Sequence, residues 1–186
     1  MENVQNIAEN AQFIKHFSIH ARILLSRYLK YKDLEKVNND DIDVGTYFDM
    51  IIVQLRALCI ENPNLEKNYT AQIALRKIGK AEYADRLDKM LEQEFMPAID
   101  CKTREIFTIR MALKTLADKF ICHYDNFDGA NIDGWGLGLV IEKRLMNPYN
   151  IPNLDTIMSE VVECLYKGLD IPMIENDEKR IDKCMI

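Results

Sequence analysis

Apolar side chains recur along this chain at the alternating four- and three-residue spacing of a helix that hides one face. Ile7, Ala11, Ile14, Ser18, Ala21, Leu25 and Tyr28 keep that spacing across residues 3–31, and Phe13, Phe17 and Leu24 widen the stripe. No Gly or Pro interrupts it, so one long helix is predicted there. Residues 30–43 are charged and rich in Asn and Asp, which suits a connection. A second helix is predicted over 44–61, with Phe48, Ile51, Ile52, Leu55, Leu58 and Cys59 as its stripe. Asn62-Pro63 stops it, because proline cannot continue the hydrogen-bond ladder. A short helix is predicted over 70–78, with Gly79 as its C-terminal cap, and another over 81–95, ended by Pro97.

The longest later pattern covers residues 102–124, where Ile106, Ile109, Leu113, Leu116 and Phe120 make a regular seam. His123 lies three residues beyond Phe120 and continues that seam, so it is expected to point inward or into a groove. A turn-rich loop is predicted over 126–134, then a helix over 137–145, then Pro148 and Pro152, and a last helix over 154–169. No segment alternates as a strand pair does, and there is no internal repeat. The prediction is an all-α bundle with two long helices and several shorter ones. One domain is expected over 1–173, with a loose polar tail at 174–186.

Composition narrows the class. The chain has 186 residues, 48% hydrophobic and 29% charged, enough to bury a core and outside the disordered range. A formal charge of −6 disfavours nonspecific nucleic-acid binding over the whole surface, while 24 Lys and Arg leave room for a local basic cleft. The five cysteines, Cys59, Cys101, Cys122, Cys164 and Cys184, are scattered and form no CxxC pair. That argues against a zinc ribbon or redox motif and for free thiols in a reducing compartment. No secretory leader opens the sequence and no apolar run approaches the ~18 residues of a membrane span. A soluble cytoplasmic protein is expected, and no cofactor is implied.

Chemically useful side chains crowd together once, in Leu116-Ala117-Asp118-Lys119-Phe120-Ile121-Cys122-His123-Tyr124-Asp125. Lys119 and His123 are four apart and share a helix face. A histidine near neutral pKa serves as general base or acid, and a neighbouring cation stabilises a phosphorane-like transition state. Together they suit metal-free RNA cleavage through an activated 2′-hydroxyl. The plainer alternative is a His at a helix end with solvated Asp and Lys neighbours. Arg56 stands beside an apolar stripe. It either snorkels at the surface or turns inward to a carboxylate such as Asp118 or Asp125, fixing the geometry between helices.

Three other patterns are weaker. His123, Asp125 and Asp128 offer one nitrogen and two carboxylates with no second His nearby. His16 and His20 are spaced for one helix face but lack the Glu of HExxH, so a metal is not expected. Residues 125–134 fit no EF-hand register, and Gly134-Trp135-Gly136-Leu137-Gly138 neither contains GxGxxG nor follows a strand.

Over residues 44–128 the chain resembles the HEPN superfamily, in particular its abortive-infection branch. The resemblance rests on Tyr47-Phe48-Asp49 through Arg56-Ala57-Leu58, on Asn68-Tyr69-Thr70, and on Ala117-Asp118-Lys119-Phe120-Ile121-Cys122-His123-Tyr124-Asp125. It implies an all-α bundle that pairs through its long helices into a homodimer, with the His-bearing helix ends facing each other across a cleft. It also implies a metal-independent endoribonuclease of a defence or toxin–antitoxin system, with RNA and a cognate antitoxin as partners. In that reading His123 is the general base or acid, Lys119 stabilises phosphate charge, Asp118 or Asp125 orients His123, and Arg56 and Tyr124 line the groove. The family's active members carry an Arg a few residues ahead of the His. Here Ala117 stands six residues before His123, and Lys is not an equivalent of Arg at a bidentate site. A noncatalytic dimeric scaffold that binds a partner protein, RNA or a nucleotide is therefore the second reading.

Overall fold

The computed structural model describes residues 2–37, 42–61, 69–97, 106–121 and 132–173, the side chains of 2–9, 119–121 and 132–135 excepted. Among these the chain is helical apart from one small strand pair. Helix α1 (Glu2–Val37) runs for 36 residues, longer than expected. Residues 42–43 of the charged stretch read as a connection open the next helix, and residues 30–37 form the last two turns of α1. Tyr31 is buried there, and Lys32 reaches Asp155 at 3.0 Å, so these turns have tertiary partners that local composition does not reveal.

Helix α2 (Ile42–Cys59) lies against α1 and buries Val44, Phe48, Ile51, Ile52, Leu55 and Leu58. Gln54 is buried between the two helices and satisfied on both sides. Its Oε1 accepts from Arg27 Nη1 at 2.7 Å, and its Nε2 donates to the His20 carbonyl at 2.8 Å. A buried amide so paired fixes the register of the helix pair.

Helix α3 (Ala71–Lys77) starts where Thr70 caps the Ile73 N–H, and it ends at Gly79, whose φ of 80° is the left-handed conformation predicted for a capping glycine. Helix α4 (Ala81–Leu91) is shorter than predicted. Residues expected in its last turn instead form strand β1 (Glu94–Met96), antiparallel to β2 (Phe107–Thr108) with an irregular register. Segments of two or three residues carry no readable alternation, so the sequence holds no signal for this pair.

The helix predicted over 102–124 is also revised. Within the described part, Thr108 caps the start of α5 (Ile109–Thr115), and α5 passes directly into a π-helical turn (Leu116–Ile121). Ile109, Leu113 and Leu116 are buried as the seam requires, whereas Ile106 precedes the helix and is exposed. Helix α6 (Ile132–Met146) begins inside the stretch expected to be loop. Helix α7 (Leu154–Gly168) opens with a reciprocal capping box between Asn153 and Thr156. It packs on α1 and α4, and its Asp155 accepts from Tyr28 Oη at 2.9 Å. The predicted tail from 174 lies outside the described residues. No described helix is long and apolar enough to cross a membrane.

Candidate functional site

The predicted cluster is described only in part. His123, Tyr124, Asp125 and Asp128 lie outside the described residues. The backbone of Lys119 belongs to the π-helical turn, but its side chain is not described. Asp118 is described, and it shows what the sequence left open for Arg56. Of the two arrangements expected, the structure has the inward ion pair: Arg56 Nε donates to Asp118 Oδ1 at 2.5 Å.

Two helical elements make this pair. Arg56 stands in the last turn of α2, where unsatisfied carbonyls favour a cation. Asp118 stands in the π-helical turn, which packs directly on α2. Such turns insert an extra residue into a helix and are frequent at functional sites. The guanidinium also donates from Nη1 to Glu61 Oε1, just beyond the end of α2. The three side chains are about one-quarter to one-third exposed, so the cluster is neither sunk in the core nor fully in bulk water. The Asp118 hydrogen bond, reinforced by the charges of Asp118 and Glu61, holds the Arg56 pKa above its ordinary value. The cluster is one fixed cation between two carboxylates.

Glu61 is a partner that sequence reasoning did not assign. It sits five residues after Arg56, beyond the helix, and the i, i+3 and i, i+4 rules do not pair residues at that distance. Ala117 is fully buried and packs in the core. Position 117 therefore faces the interior, and a guanidinium there would lie among apolar side chains. Among the described side chains, Arg56 of α2 is a cation that reaches this turn.

His16 and His20 lie side by side, with ring centroids 4.5 Å apart, and His16 meets Phe17 edge-on at 5.2 Å. Partial burial lowers the His20 pKa, and His16 and Arg27 lower it further. Among the described residues no three His, Cys, Asp or Glu side chains come together as metal ligands. Other ion pairs join helices: Arg86 binds Glu160 and Glu163 of α7, and Arg76 and Arg110 meet at Asp88.

No protein-family model matches the chain, and no curated protein or solved structure matches it.

Proposed function

We propose that the chain is a HEPN-like protein that cleaves RNA without a metal, in a defence or toxin–antitoxin setting and as a homodimer in the cytoplasm. The observation that carries this reading is the Arg56–Asp118 pair. It supports Arg56 as the guanidinium that the motif lacks at position 117, delivered from a neighbouring helix to the turn that leads toward His123. In this proposal His123 removes the proton of a ribose 2′-hydroxyl as its oxygen attacks the adjacent phosphorus. The 5′-oxygen leaves and takes a proton from the protonated imidazole or from water. Lys119 and Arg56 stabilise charge on the equatorial oxygens. Asp118 holds Arg56, and Asp125 orients His123.

A second reading, the noncatalytic scaffold, is favoured by a different observation. Two carboxylates already flank the guanidinium, so the described cluster carries a net charge of one minus and repels a phosphate unless one carboxylate moves. One experiment separates the readings: RNA cleavage in EDTA by the wild type, His123→Ala and Arg56→Lys. The enzyme reading expects cleavage that survives EDTA and is lost in His123→Ala. It also expects a fall of about a hundredfold in Arg56→Lys, which keeps the charge but loses the planar fork. No cleavage by the folded wild type leaves the scaffold.

A further inference from the structure

Helix α1 buries Phe17, Ala21, Leu24, Tyr28 and Tyr31 on one side, yet its opposite side is not purely polar. Ile19 is 49% exposed and Ile23 is 37% exposed, on successive turns. Along the neighbouring edge of α2, Met50 is 42% exposed and Tyr47 is half-buried. Ile23, Ser26, Arg27, Lys30, Tyr47 and Met50 line a groove of about 520 Å³ between the two helices. Lone exposed apolar residues need no explanation, but Ile23, Tyr47 and Met50 on the walls of one groove, with Ile19 a turn away, do.

The α1 side of this groove is basic. From Asn10 to Lys32 the sequence contains five Lys or Arg and no Asp or Glu, in a chain of net charge −6. Lys32 is turned to Glu35 and Asp155, which leaves Lys15, Arg22, Arg27 and Lys30 for the outward side. Arg27 leans on Gln54, while Arg22 and Lys30 are exposed beside Ile23 and Ser26. On α2 the exposed Asp43 and Asp49 stand close to Tyr47 and Met50 in sequence, but no carboxylate lines the groove, whose charged lining residues are Arg27 and Lys30.

We propose that this face of α1 and α2 docks an acidic amphipathic helix of a partner protein. The apolar centre takes the partner's apolar stripe, as in helix-in-groove recognition, and the basic rim takes its acidic flanks. A second copy of this chain is disfavoured at the same face, since self-pairing sets Arg22 and Lys30 against their own kind. A nucleic-acid backbone would satisfy the rim but leave Ile19, Ile23 and Met50 without apolar partners. The proposal uses none of the residues of the Arg56–Asp118 cluster, and it requires the homodimer of the ribonuclease reading to pair through a surface other than this face of α1.

The probe is a fluorescein-labelled helical peptide with Leu at i, i+4 and i+7 and Glu on its flanks, followed by anisotropy against the full chain. Its controls are the same Leu stripe with Lys flanks and a single-stranded RNA oligonucleotide. Saturable, salt-weakened binding of the Glu peptide is expected, with the Lys peptide at least about tenfold weaker. Ile23→Glu, and separately Arg22→Glu with Lys30→Glu, should each weaken it by about tenfold or more while circular dichroism stays unchanged. Equal binding of both peptides, or binding indifferent to Ile23→Glu, overturns the proposal. So does RNA binding that outcompetes the Glu peptide on this face, or a dimer that dissociates in Ile23→Glu.

Discussion

A thiol reports its surroundings by its willingness to ionise. Burial pushes the Cys59 thiol up to about 12, with Arg110 pulling it slightly back. Burial also pushes Cys164 up to about 12, aided by the charge of Glu160. Both side chains are free and buried. A brief pulse of maleimide on the native protein at pH 8, read by peptide mass mapping, should leave both unmodified, and the same pulse in denaturant should modify both. Native labelling of Cys59 would mean that the contact between α2 and its neighbours opens readily. Arg56 is the residue where sequence and structure converge most closely. A charge beside an apolar stripe had two readable fates, and the structure selects the inward one. Its second partner, Glu61, was not legible, because a contact across a helix end obeys no helical spacing.

At the scale of elements, legibility followed the length of the repeat. Helices α2 and α7 were close to their predicted bounds because each presents several apolar positions in phase. The end of α1 carries no such repeat, because Tyr31 and Leu34 sit singly among charges. The π-helical turn had no sequence signal either. The seam Ile109, Leu113, Leu116 reads as ordinary α-helix up to the residue where the ladder changes. One helix contact is tight enough to predict. At Gly168 a Cβ would stand 2.5 Å from Leu75 Cδ2 and 3.4 Å from the Tyr83 side chain, so α7 meets α3 and α4 there with no room to spare. Gly168→Ala should destabilise the fold by about 1–3 kcal/mol through overpacking, despite alanine's better helix propensity. Denaturant midpoints measure it, and a neutral or stabilising result would show that Leu75 swings aside freely.

For the whole molecule, acid should loosen the attachment of α7. Arg86 and Lys167 hold the Glu163 carboxyl down at about 2, against 4.5 for an ordinary glutamate. An acid depressed in the fold stabilises it above the unfolded value, and that contribution fades as pH falls from about 4.5 toward 2. The partners are substantially exposed, so solvent screening keeps the effect below about 1 kcal/mol. Glu163→Gln should therefore lower the thermal midpoint slightly at pH 7 and less at pH 3. An equal loss at both values would assign the effect to packing instead of charge.

The bonds from Tyr28 and Lys32 to Asp155 join positions 127 and 123 residues apart. A ribosome adding roughly 5–20 residues per second leaves an interval of roughly 6–25 s between the two ends of that contact. For most of that interval α2 has been made and α7 has not. The nascent chain thus carries an uncovered hydrophobic strip until late in its own synthesis, and a chaperone that shields such strips would have that long to engage it.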